Sequence, residues 1–122
     1  MDCATYFSEK VSFAVNKLSN GELQVDVKSG HFAGRYDFCI EDENLITYAK
    51  RLQKINDNLE GEFNFADMDS DSFILFKMKH YGKMEVSGQL GSFVNGNYLN
   101  FWFEADQTLL TSLIGLLQSF EC

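Results

Sequence analysis

The sequence predicts an α+β fold, and three observations carry that reading. Apolar residues recur at every second position through the first forty residues and again after residue 61, which is strand spacing. Between those tracts, and once more near residue 110, they recur at three and four residues, which is helix spacing. The chain has 122 residues and no proline, so nothing in it marks a linker, and a single domain over 1–122 is expected. The order reads βββαββββα: a two-layer domain with a mainly antiparallel sheet of about seven strands and two helices packed on one face.

Each element follows from its own residues. Val11, Phe13 and Val15 share one face of a first strand, Leu23, Val25 and Val27 of a second, and Tyr36, Phe38 and Ile40 of a third. Asn20-Gly21 and Ser29-Gly30 supply residues that tolerate positive φ, which makes the first pair a hairpin and leads by a looser turn to the third strand. The period then changes. Leu45, Tyr48, Ala49, Leu52, Ile55 and Leu59 form one stripe, with Lys50, Arg51 and Lys54 away from it, so a helix is placed near 43–58. Its acidic start and basic later turns suit the helix dipole, and Asn58 with Gly61 is the expected stop.

Four further strands are expected at 61–66, 72–80, 83–90 and 98–104, as a second meander. The segment 72–80 carries Phe73, Ile74, Leu75, Phe76 and Met78 on both faces and is assigned a central place in the sheet. The last helix opens at Asp106, a favoured N-cap residue, and carries Leu109, Leu110, Leu113, Ile114, Leu116, Leu117 and Phe120. It is too apolar to lie exposed.

Composition narrows the function. Nearly half the residues are apolar, with twelve Phe and five Tyr, far from the composition of a disordered chain. The segment from Met1 to Phe7 lacks the basic and apolar regions of a secretory signal, and the apolar stretch near 109–117 is too short to span a bilayer, so a soluble cytoplasmic protein without a membrane partner is expected. Cys3, Cys39 and Cys122 are an odd count without CxxC spacing, and a zinc site is not indicated. A Cys3–Cys122 bridge between the termini is the one pairing considered, against the rarity of disulfides in the cytosol.

No catalytic constellation emerges. Asp67, Asp69 and Asp71 match the first half of a calcium loop, but Ser72 stands where the loop needs glycine and Met78 where it needs a bidentate Glu, so a solvated acidic hairpin tip is expected and no metal is assigned. His31 and His80 lack Cys or HxxxH partners and read as strand-end surface residues. No nucleophile elbow, phosphate loop or dinucleotide fingerprint is present, so neither an enzyme nor a cofactor is expected.

Charge and one aromatic point outward instead. The net charge of −8 repels phosphates and no Lys/Arg stripe offsets it, so nucleic acid is not an expected partner. Residues 41–71 hold nine acids against three bases, a net of −6, leaving −2 elsewhere. Such asymmetry serves solubility or complements a basic protein. If Leu99, Phe101 and Phe103 face the helices, then Asn100, Trp102 and Glu104 face the other way, and Trp102 among polar neighbours has the look of an interface anchor. Cover by the segment around Tyr6 and Phe7 is the alternative. Arg35 and Asp37, with Glu85, Ser87 and Gln89, are assigned to the same polar face.

The motif order itself carries a resemblance. Gly30-His-Phe-Ala-Gly34, the helix with Leu45, Tyr48 and Leu52, Leu59-Glu-Gly61, the run from Gly82 to Leu90, Leu99-Asn-Phe-Trp-Phe103 and Asp106-Gln-Thr-Leu-Leu110 together resemble the Wap-type (WapI-like) immunity proteins of bacterial polymorphic toxin systems. The resemblance spans about three quarters of the chain, and its motifs are structural. It implies a non-enzymatic bacterial cytoplasmic protein that binds and neutralises a cognate toxin domain, often a nuclease; separately, a monomer or weak homodimer is expected. No binding residue transfers by motif, because such families diverge at the toxin-facing surface. From charge asymmetry, Glu41, Asp42, Glu43, Asp67, Asp69, Asp71 and Trp102 are the expected partner-binding residues, acting by steric and electrostatic occlusion. An acidic secretion chaperone for an effector and a small apolar-ligand binding protein are the alternatives from other classes.

Overall fold

A computed structural model describes residues 3–68, 70–79, 82–92 and 96–118, with Asp42 described by its backbone alone. The chain runs β1 (Cys3–Phe7), β2 (Val11–Lys17), β3 (Leu23–Ser29), β4 (Phe32–Phe38), α1 (Asp42–Asn58), β5 (Glu62–Ala66), β6 (Phe73–Met78), β7 (Lys83–Ser92), β8 (Asn97–Asp106) and α2 (Gln107–Gln118). The α+β class, the antiparallel pairing and the two helices are those expected. Among the described residues the strands number eight rather than about seven, and they form two four-stranded sheets, β1-β2-β3-β4 and β5-β6-β7-β8. The additional strand is β1, which pairs with β2 from Cys3 opposite Asn16 to Phe7 opposite Ser12. The two sheets arise because α1 carries the chain to a new meander instead of returning it to an edge of the first.

Period-two burial explains each strand. Along β7 the burial alternates at every residue, with Met84, Val86 and Leu90 inward, and β8 sends Phe101, Phe103 and Ala105 to the same side. The inner faces of both sheets and both helices share one core. β4 lies against β7 and β3 against β8, while α2 lies against α1, β1 and β8, and α1 against β5. Phe13 of β2 meets Phe103 of β8 with ring centroids 5.3 Å apart, and Tyr48 of α1 meets Phe63 of β5 at 4.8 Å. β6 is central in its sheet, as its apolar faces required.

Two glycines of the quoted motifs sit where strands approach closely. A Cβ on Gly34 of β4 would come within 2.8 Å of the Leu99 side chain on β8, which is how the two sheets close on each other. A Cβ on Gly88 of β7 would collide with the backbone of Phe73 and Ile74 on β6.

The helix ends differ in their fidelity to expectation. Asp106 caps α2: its Oδ1 accepts from the Thr108 N–H at 3.0 Å and from the Thr108 hydroxyl. α1 stops at Leu59, not at a glycine; Leu59 takes the left-handed conformation at φ 55° and its N–H reaches the Ile55 carbonyl. Gly61, two residues on, has φ 109° and serves the turn into β5.

Candidate functional site

The two acidic segments meet where the chain enters α1. Glu41 holds the N-cap position of α1 with extended backbone, φ −63° and ψ 139°, and makes no side-chain cap bond. Its carbonyl takes up the helix start by accepting from the N–H groups of Asn44 and Leu45. Glu43, in the first turn, is exposed. The β5–β6 connection, residues 67–72, comes alongside just before that start. Asp67 Oδ1 accepts from the Cys39 N–H at 2.8 Å, and the Met68 N–H donates to the Cys39 carbonyl at 3.0 Å. Residues 28 apart in sequence are thereby fixed side by side.

Asp67 therefore departs from the expected surface role. It is 8% exposed, and its second carboxylate oxygen accepts from the Ser70 hydroxyl at 2.6 Å. Ser70 Oγ in turn accepts from the Ser72 N–H, and the Asp67 N–H closes the loop on the Ser72 carbonyl at 3.0 Å. The carboxylate is the organiser of a tight turn rather than part of a solvated tip, because the backbone N–H of Cys39 needs an acceptor there. Asp71 is exposed, and its carbonyl accepts from Gln89 Nε2 at 3.4 Å. Asp69 and the Asp42 side chain lie outside the described residues. Met68, 55% exposed beside these acids, is a surface apolar residue that sequence reasoning passed over.

Trp102 occupies the outer face of the second sheet and is 54% exposed. Tyr6 does not cover it: its ring stacks on Phe103, the next residue and on the opposite face, at 6.0 Å. Strand register places Trp102 in a cross-sheet row with Ser87, Leu75 and Asn64. The adjacent row holds Asn100, Gln89, Phe73 and Ala66, roughly 7 Å along the strands. Gln89 of that row is the residue bonded to Asp71, so the polar face leads from Trp102 to the acidic loop through one row of side chains.

Arg35 and Asp37 do not share this face. They belong to the first sheet, where Arg35 Nε meets Asp26 Oδ1 at 2.5 Å and Gln24 Nε2 donates to Asp37 at 3.2 Å. The hydrogen bond and the charge of Asp26 raise the Arg35 guanidinium above its ordinary pKa. His31 is exposed in the β3–β4 turn, as expected, whereas His80 and Cys122 lie outside the described residues, and with Cys122 the Cys3–Cys122 pairing. Among the described residues no group of three or more His, Cys, Asp and Glu side chains is placed to hold a metal ion, and no helix is long and apolar enough to cross a membrane.

The acidic turn thus adjoins a polar sheet face that carries the exposed Trp102. No curated protein and no solved structure matches the chain. A family model does, over residues 14–120, from within β2 through α2, and on that match the chain belongs to the immunity protein WapI-like family.

Proposed function

We propose that the protein binds a cognate toxin domain in the bacterial cytoplasm and neutralises it by occlusion, without an enzymatic step of its own. Family membership supports the general role. The single observation that supports the mechanism is the junction at Cys39 and Asp67, which brings the segment leading to the exposed Glu41 and Glu43 beside the turn that carries the exposed Met68 and Asp71. A surface of that charge complements a basic cleft of the kind that grips phosphates, which makes a nuclease the toxin class that fits best. Trp102 on the adjoining face supplies an apolar anchor of the type that dominates interface energies.

The test is co-expression with the toxin domain encoded immediately upstream, read as growth rescue and co-purification. Rescue with a stable complex is the expected result; absence of both overturns the reading. Lysine at positions 41, 43 and 71 (Glu41→Lys, Glu43→Lys, Asp71→Lys) is then expected to slow association about tenfold or more at low salt, with the difference shrinking as ionic strength rises. Unchanged rates in the triple variant would remove the acidic end from the mechanism.

A further inference from the structure

Phe32 is out of place in the first sheet. Register puts it opposite Ser29 on the face that also carries Val27 and Gly34, Val25 and Tyr36, and Leu23 and Phe38. That is the core-facing side, where Leu23, Val25, Val27 and Phe38 are buried, yet Phe32 is 69% exposed. The first sheet overhangs the edge of the second at this point. Between the overhang and β8 lies an open cleft of about 260 Å³, lined by Val27, Ser29, Phe32, Leu99, Asn100 and Trp102, with Phe101 behind them. Two exposed aromatic rings thus stand at the cleft, its walls are aliphatic, and Ser29 and Asn100 supply hydrogen-bond acceptors.

The charge beside the cleft is negative. Glu104, two residues beyond Trp102 on the same outer face, is exposed and lies directly across from Glu85 on β7. Like charges in that cross-strand position are unfavourable. Glu85 has a cation in Lys79, 3.5 Å away, which leaves the Glu104 carboxylate as the acid next to Trp102. Lys28, the nearest lysine in sequence to the lining residues, belongs to the opposite face of the first sheet, since it pairs with Ala33 and alternates with Val27 and Ser29.

We propose that this cleft receives an arginine side chain of the toxin, an inference that rests on the toxin-binding reading above. The planar guanidinium stacks on the Trp102 indole and donates to Glu104, and its aliphatic stem lies along Val27 and Leu99 beneath Phe32. This combination suits arginine better than lysine, because guanidinium is planar, weakly hydrated and able to stack while donating hydrogen bonds in its plane. An aromatic or aliphatic occupant would use the apolar walls but leave Glu104 without a purpose.

Trp102 is the only tryptophan, so its emission reports the cleft directly. The experiment titrates the full-length protein with the upstream toxin domain, following Trp102 fluorescence, and measures Kd by calorimetry for the wild type, Glu104→Gln, Phe32→Ser and Trp102→Ala. All three side chains are exposed, and circular dichroism checks that each variant folds. The expected result is a shift in Trp102 emission on binding and a loss of about tenfold in affinity for Glu104→Gln, with losses of at least that size for the two aromatic variants. An unchanged Kd for Glu104→Gln overturns the arginine, and if Trp102→Ala still weakens binding the occupant is an uncharged side chain. A tight complex that ignores all three variants while responding to charge reversal at 41, 43 and 71 refutes the cleft and leaves the immunity reading standing. No complex with wild-type protein refutes both.

Discussion

The Asp67 carboxylate accepts the backbone N–H of Cys39 at 2.8 Å, tying the turn after β5 to the segment that enters α1. Together with the Met68–Cys39 backbone bond, this makes the acidic end a unit assembled from both halves of the chain. Asp67→Ala leaves the Cys39 N–H and the Ser70 hydroxyl without their acceptor in a site only 8% exposed, and is expected to destabilise the fold by about 1–3 kcal/mol. Asp67→Asn keeps one oxygen for Cys39 and should recover most of that loss. Urea unfolding of the two variants checks both statements.

Gly34 and Gly88 make different demands although both sit in strands. A methyl group at Gly88 strikes the Phe73 and Ile74 backbone, which cannot move without breaking the β6–β7 ladder, so Gly88→Ala should cost about 3 kcal/mol or more. At Gly34 the obstacle is the end of the Leu99 side chain, which can change rotamer, and Gly34→Ala should cost about 1 kcal/mol. Thermal melts that rank the two the other way would contradict the packing described.

Leu59 holds a left-handed backbone that a branched side chain adopts at a cost of about 1–2 kcal/mol. Its side chain is 46% exposed, so little packing is lost by removing it. Leu59→Gly is therefore expected to raise stability by about 0.5–1 kcal/mol, after allowing for the greater freedom of glycine in the unfolded chain. A drop in the denaturation midpoint would show that Leu59 packs more tightly than its exposure implies.

Asp106→Ala removes the cap of α2 and should cost about 1 kcal/mol, with Asp106→Ser or Asp106→Asn close to wild type. Because α2 lies against both α1 and β1, the loss is expected in the global unfolding transition and not as a separate early phase, which chemical denaturation followed by two probes resolves.

The strands and helices were legible because their signals are local. Alternation in β2, β3, β7 and β8, the stripe from Leu45 to Ile55 and the Asp106 cap each lie within a few neighbouring residues. β1 escaped notice because Cys3–Phe7 is short and sends the large Phe7 outward while small Ala4 turns in. The packing of the two sheets on each other includes Gly34 meeting Leu99, a contact between distant strands that no local pattern records. Asp67 looked solvated among acids and serines; its burial goes with accepting a backbone N–H 28 residues away. The exposure of Trp102 followed from alternation, whereas Phe32, in phase with core residues, gave no sign that the facing layer stops short of it.

Among the described residues, every strand pairs only with strands adjacent to it in the chain, in the order β1 to β4 and then β5 to β8. The order of pairing is thus also the order of synthesis. The first sheet can zip as soon as residue 38 clears the ribosome, with no ladder waiting on a distant segment, and the second can do the same after residue 106. Strand pairing this local shortens the search for each ladder, while the shared core closes only when β8 and α2 reach the first sheet. For a chain whose family role is to stand against a toxin, a short interval between translation and readiness is the property that most directly sets how soon a newly made molecule gives protection.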